Sequence, residues 1–174
     1  DAGIPVINQA SKIEAPVATV VLRDDEKMGI LAGENSAKWI NKNLEGKGKI
    51  AVFNWPTFSN TKAWEDGFLA KIKELSPESE IVSTIPGTRK EEGLNGMEYV
   101  LQSHPEVNFI FGINDPIALG AIQAIDASGR KDIYASFICG GDEEAFERLK
   151  MGTEEGKIVG IVQLYPYEDG MLCV

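Results

Sequence analysis

Val107-Asn108-Phe109-Ile110-Phe111-Gly112-Ile113-Asn114-Asp115-Pro116-Ile117-Ala118-Leu119-Gly120-Ala121 passes from a β-branched and aromatic run straight into a helix-starting pattern. Residues 107–111 read as a strand. Asp115-Pro116 then reads as an N-cap followed by proline at the first helical position, where a missing N–H costs nothing. Ile117, Leu119, Ile122 and Ile125 continue the helix until Gly129. A strand running directly into a helix is half of a βαβ unit, and the same alternation extends in both directions. Upstream, strands are predicted at Ile4–Ile7, Val17–Leu22, Lys49–Phe53 and Ile81–Ile85. Helices are predicted from Asp24 to Leu44, with Asp24 or Asp25 as cap and Gly46 and Gly48 as stop, and from Thr61 to Leu75. Thr88-Arg89-Lys90-Glu91 has the form of a capping box opening a helix through Leu94, Met97 and Leu101, and His104 before Pro105 marks its end. Downstream follow a strand at Ile133–Ile138, a helix at Asp142–Lys150, a strand at Lys157–Val162 and a final segment. About six strand–helix alternations with short connections predict an α/β fold, a parallel sheet with helices on both faces.

Composition narrows the function. The chain has 174 residues, 43% of them hydrophobic and 25% charged, and a net formal charge of −10. That length suits one domain, or one domain with parts of a second. The negative balance and the lack of a Lys/Arg cluster argue against nucleic acid as a partner. No apolar run is long enough to span a bilayer. Asp1-Ala2-Gly3 opens the chain without a signal-peptide pattern and reads like the interior of something longer. Cys139 and Cys173 form neither a CxxC motif nor a disulfide framework, and the single histidine, His104, argues against a histidine metal site or a catalytic triad. No nucleophile, base and oxyanion donor assemble, so a binding protein rather than an enzyme is expected, without metal or cofactor.

In such sheets ligands sit beyond the carboxyl ends of the strands. The positions there are Asn8-Gln9, Asn54-Trp55, Pro86 to Arg89, Asn114-Asp115, Cys139 to Asp142 and Gln163-Leu164. Asp115 is expected to cap its helix, leaving the Asn114 amide to face a ligand hydroxyl. Trp55 and Trp64 offer flat faces to a sugar ring; for Trp64, four residues before Phe68 on one helical face, core packing is the alternative. Gln163 can donate and accept at once, against the alternative of a satisfied loop amide. Arg89 could reach a ligand oxygen or be solvated. Cys139-Gly140-Gly141 permits close backbone approach but is no phosphate loop, since no Gly-Lys-Ser/Thr follows; a plain buried strand end is the alternative for Cys139.

Taken in order, Lys47-Gly48-Lys49-Ile50-Ala51-Val52, Asp66-Gly67-Phe68, Glu92-Gly93-Leu94, Leu101 to Pro105 and Asn114 to Ala121 resemble the type I periplasmic binding proteins, in the ribose-binding-like group that serves ABC sugar importers. Ile4-Pro5-Val6 and Gln163 to Tyr167 fit the same series, so the resemblance runs from residue 3 to 170. It implies two flavodoxin-like lobes joined by three crossings, with the ligand between them. Residues 1–18 would end the first lobe and make a crossing, residues 19–163 would form the second lobe, and residues 164–174 would return into the first. The hinge strands would lie near Val17–Leu22, Phe137–Gly141 and Gln163–Tyr165.

The resemblance further implies a monomer outside the cytoplasm, periplasmic or anchored as an extracellular lipoprotein, with a carbohydrate as ligand and an ABC transporter permease as partner. Asn114 and Gln163 match the family's ligand-contacting amides. Other positions depart from its pattern. Ala10-Ser11 stand for the usual Asp-Arg pair that follows the Ile4-Pro5-Val6-Ile7 strand, Trp64 for an arginine, Thr88 for an aromatic in some members, and Cys139-Gly140-Gly141-Asp142 for a Gly-x-Asp-Gly stretch. Losing charged hydrogen-bonding groups, each worth roughly 1.5–3 kcal/mol, points away from a simple aldopentose toward a bulkier or aromatic-stacked ligand. The fold is shared with the effector domains of LacI-type regulators and with sensing domains of membrane receptors, which stay open as alternatives. Leu101 to Val107 favours the transporter branch, and Lys131, where regulators usually carry proline, weighs the same way.

Overall fold

The structure, a computed structural model, describes residues 4–10, 14–165 and 171. Seven strands and six helices alternate in them: β1 (Ile7–Ala10), β2 (Thr19–Leu22), α1 (Asp25–Asn43), β3 (Lys49–Asn54), α2 (Ser59–Leu75), β4 (Glu80–Pro86), α3 (Lys90–Ser103), β5 (Phe109–Gly112), α4 (Asp115–Ser128), β6 (Tyr134–Cys139), α5 (Glu143–Lys150), α6 (Thr153–Gly156) and β7 (Ile158–Gln163). Strands β3 to β7 form one parallel sheet in the order β4-β3-β5-β6-β7, and β1 and β2 pair in parallel as a separate two-stranded sheet. This is the α/β parallel architecture that the alternation predicts.

The burial of each strand follows from its place in the sheet. Strand β5 is buried along its whole length and β3 at every residue but its first, since both have helices on either face. The edge strand β4 is mostly exposed. Consecutive residues point to opposite faces. Phe111, paired with Val52, stacks on Phe68 of α2 with ring centroids 3.9 Å apart and planes 9° from parallel. Phe109, on the same face, meets Trp39 of α1 at 5.9 Å. Phe53, one residue from Val52, faces α3 near Gly96. Helices α1 and α2 therefore cover one face, and α3 lies on the other beside α4.

The ends of the elements show local chemistry and two departures. The Asp24 carboxylate caps α1, accepting from the Lys27 backbone N–H at 3.0 Å, and Gly46 beyond its end has φ of 77°. Gly129 ends α4 in the left-handed region at φ 75°, as a C-terminal glycine should. The box before α3 is displaced by one residue from the expected Thr88/Glu91 pair. The helix begins at Lys90, and Glu92 rather than Glu91 reaches back to the backbone N–H groups of Thr88 (2.8 Å) and Arg89 (3.0 Å). The single turn α6 was not legible as a helix. It lies between Gly152 (φ 82°) and Lys157 (φ 66°), whose buried ammonium donates to the Lys131 carbonyl at 2.8 Å.

Ile4 and Val6 precede β1 rather than lying in it, and both are more than half exposed. Asp1, Ala2, Gly3, Ser11, Pro166, Tyr167 and Cys173, together with most of the expected return segment 164–174, lie outside the described residues.

Candidate functional site

The strand order reverses direction between β3 and β5: β4 follows β3 on one side, while β5, β6 and β7 follow on the other. The helices leaving β3 and β5 depart to opposite faces, which opens a crevice at the carboxyl edge between them, where ligands bind in folds of this kind. The register places the expected residues along that edge. Asn54 pairs with Pro86, Phe53 with Gly112, and Cys139 with Gln163. Trp55, Thr88, Arg89, Asn114, Cys139 and Gln163 thus lie within two or three residues of the ends of five adjacent strands.

Asn114 caps α4. Its Oδ1 accepts from the Ile117 backbone N–H at 3.0 Å, and its Nδ2 donates to the Thr88 carbonyl at 3.0 Å. This corrects the expectation that Asp115 is the cap and Pro116 the first helical residue. Asp115 is the first residue of α4 and Pro116 the second, because the strand ends early enough to leave Asn114 in extended backbone at φ −152°, ψ 170°. One amide N–H and one carbonyl lone pair of Asn114 remain for a ligand. The same amide ties the β4–α3 loop to β5, so the walls carried by Thr88 and Asn114 are one unit.

Asp115 does something the sequence did not signal. It is buried, and its Oδ2 accepts three backbone N–H groups from the β6–α5 loop: Gly140 at 2.9 Å, Gly141 at 3.1 Å and Asp142 at 3.0 Å. Its other oxygen, Oδ1, is buried without a hydrogen-bond partner. The clue was present in the glycine pair and the acid, but their meeting depends on β5 and β6 being neighbours.

Gln163 is exposed at the end of β7, in a groove of about 260 Å3 shared with Leu22, Met28, Leu31 and Tyr165. Trp55 is half-buried against the core, and its carbonyl accepts from the Thr61 hydroxyl, which also donates to Phe58 at 3.1 Å. Arg89 is exposed and Thr88 half-buried. Asn8 lies on β1 opposite Val20, off the five-stranded sheet, with its Oδ1 buried and unpartnered.

Trp64 is not on the edge. It is 5% exposed, within α2 against α1, and its indole N–H donates to Asp25 at 2.9 Å. Trp64 thus takes the packing place that its four-residue spacing to Phe68 left open. Asn54 at the end of β3 is likewise committed, donating to Glu65 at 2.8 Å. Among the described residues, no cluster of three or more His, Cys, Asp or Glu could hold a metal, and no helix is long and apolar enough to cross a membrane.

Glu92 braces the Thr88 corner of the edge, and the Thr88 and Arg89 N–H groups hold its carboxyl below the ordinary value of 4.5. A depressed carboxylate contributes stability that is present above its unfolded value and lost as pH falls through the folded one. Glu92→Gln is therefore expected to flatten the loss of stability on acidification below pH 4.5, read from urea midpoints across that limb. A variant with the wild-type slope would mean that Glu92 does not carry it.

The family model described as periplasmic binding protein domain matches residues 1–174. The ribose import binding protein of Escherichia coli (strain K12) is 31% identical over 173 residues, covering 97% of this chain and 54% of that protein. The ribose import binding protein of Bacillus subtilis (strain 168) is 30% identical over 154 residues, covering 85% and 47%. The chain thus spans about half the length of these curated relatives. Among solved structures, an ABC transporter periplasmic solute binding protein from Actinobacillus succinogenes 130z with bound D-allose superposes with a TM-score of 0.74 at 27% identity, over 86% of this chain and 55% of that one. A carbohydrate transporter solute binding protein from Agrobacterium radiobacter, in complex with D-arabinose, shares the fold at a TM-score of 0.83 and 23% identity, over 96% and 57%. A matching family model over the whole chain, and a parallel sheet with its switch point at β3/β5, lead to one conclusion: the chain belongs to the periplasmic binding protein family, in its type I, ribose-binding-like branch.

Proposed function

We propose that this chain is part of a solute-binding protein that works outside the cytoplasm, takes a small sugar-like ligand between two lobes and delivers it to an ABC importer. Residues 19–163 supply the second lobe in this reading, and residues 1–18 and 164–174 belong to the first lobe and its crossings. The observation that carries it is the edge itself. The two amides Asn114 and Gln163 stand at the carboxyl ends of β5 and β7, on the same side of the sheet as Trp55, Thr88 and Arg89. Amides donate and accept together, which suits hydroxyls that do both. An aromatic edge such as Trp55 suits the C–H face of a sugar ring.

Asn8, on β1, would contribute from the first-lobe side. The backbone at Cys139 would approach the ligand closely. Trp64 contributes by holding α2 in place through Asp25 rather than by stacking. No covalent step is involved. Binding would be driven by hydrogen bonds and burial, and closure of the lobes would hide the ligand from water.

The test is a thermal-shift panel on the protein with both lobes, using D-ribose, D-allose, arabinose, fructose and xylitol. A ligand at a hundredfold excess over Kd adds about 2.7 kcal/mol, which raises Tm by roughly 5–11 °C. Gln163→Ala, at an exposed strand end, is expected to weaken the responding sugar about tenfold, the worth of one hydrogen bond, with the unliganded Tm unchanged. A flat panel across neutral sugars would remove the sugar reading.

A further inference from the structure

The loop that joins β6 to α5 has the makings of an anion site. Gly140 and Gly141 carry no side chains, Gly141 stands at φ 107°, and three successive backbone N–H groups converge on one point. Converging amides of this kind make a concave cradle for a carboxylate or a phosphate. Here the cradle is already filled by Oδ2 of Asp115, reaching across from the first turn of α4. The neighbouring acid is committed elsewhere, since Asp142 accepts from the Glu144 backbone N–H at 2.9 Å to cap α5.

The second oxygen of Asp115 shows that this is more than a convenient cap. Oδ1 is buried and unpartnered, although a shielded carboxylate oxygen without a donor is costly. An asparagine or serine could tie a loop without burying a charge. What the charge supplies is a full negative unit beneath the carboxyl edge, two strands from Gln163. A ligand anion arriving at this wall would find the three amides taken and a like charge behind them, a combination that disfavours it on both counts.

We propose that Asp115 is the specificity-determining residue of this wall: a built-in anion that occupies the three-amide cradle of Gly140, Gly141 and Asp142 and so excludes ligands bearing a carboxylate or phosphate, leaving neutral polyols as the class taken. The ligand class rests on the sugar-binding reading above. Occupancy of the cradle does not, so the two can fail separately.

The experiment replaces the built-in anion by a free one. Asp115→Ala removes a carboxylate the size of formate, and formate is titrated into both proteins while the Gly140, Gly141 and Asp142 amide signals are followed by nitrogen–proton correlation spectra. The expected result is a saturable movement of those three signals toward their wild-type positions in Asp115→Ala, at least tenfold larger than any movement in the wild type. Three amides in the variant that ignore formate, or wild-type amides that respond as strongly, would overturn the assignment. If Asp115→Ala does not fold even with formate, Asp115→Asn keeps the shape and removes the charge. Amide exchange at the three positions should then speed up at least tenfold relative to Ile122 in the middle of α4, and unchanged exchange would overturn the proposal. A positive formate result beside a flat neutral-sugar panel would sink the sugar reading and leave the cradle assignment standing.

Discussion

Phe111→Ala is expected to lower the unfolding free energy by about 3–5 kcal/mol, the cost of removing a fully buried aromatic side chain and leaving a cavity. Phe111 is 0% exposed on β5, flanked by Val52 of β3 and Ser136 of β6, and its ring lies flat on that of Phe68. Little can collapse into the gap. The sheet holds it from below through two ladders of hydrogen bonds, and α2 is pinned elsewhere by the Trp64–Asp25 bond. The loss also forfeits the stacked pair itself, worth about 0.5–1.5 kcal/mol beyond its area. Urea unfolding with an unchanged m-value is the check. A change under 1 kcal/mol would show that α2 settles onto the sheet without the ring. Because α2 follows the Asn54–Phe58 loop, its loosening should also release Trp55 at the carboxyl edge.

The second large effect runs against propensity. In an exposed helix, glycine to alanine gains about 1 kcal/mol. Gly120→Ala is expected to lose about 2 kcal/mol net, since overpacking costs up to about 3 kcal/mol and sometimes more when backbone is in the way. A Cβ at Gly120 would overlap the Lys90 carbonyl oxygen and lie 2.8 Å from the Lys90 carbonyl carbon and 2.9 Å from the Leu94 nitrogen. Those atoms belong to the first turns of α3 and cannot rotate aside. Gly93, on the facing helix, is in the same position toward Ile117, so α3 and α4 touch backbone to backbone at both glycines. Separating the helices would also shift Thr88 away from Asn114, which links stability to the candidate site. Gly160→Ala on β7 is the control, because a Cβ there meets nothing within 4 Å. Equal urea midpoints for the two variants would refute the packing argument.

Much of the architecture was legible in the residues alone. Apolar runs such as Lys49–Phe53 and helical spacing such as Trp64, Phe68 and Ile72 depend on burial of one face or two, and that requirement is local. The boundaries were legible where one side chain decides them: the stop at Gly129 and the end of α3 at His104 lie where the chain chemistry places them. They slipped by one residue where two side chains compete. Both Glu91 and Glu92 could close a box, and Asn114 and Asp115 could each cap α4. The winner was set by where the preceding strand let go of the sheet.

The candidate site divides along the same line. That Asn114, Gln163, Trp55 and Thr88 belong to the ends of strands follows from element order alone. Core packing was the alternative that the helical spacing left open for Trp64, and the tertiary structure decided for it, with Trp55 at the edge and Trp64 against α1. Nothing near Asp115 in sequence foretells its three amide partners, which lie 25 to 27 residues away.

By itself, then, the sequence determined the alternation, the parallel α/β class and the ends of the five strands of the main sheet to within one residue, because these depend on periodicity and capping within a few residues. The tertiary structure decided the strand order, the backbone contact of α3 with α4 at Gly93 and Gly120, the burial of Trp64 and the filling of the Gly140–Asp142 cradle by Asp115. Each of those joins groups far apart in the chain, and their meeting is settled by which strands lie side by side and which helix faces close on one another.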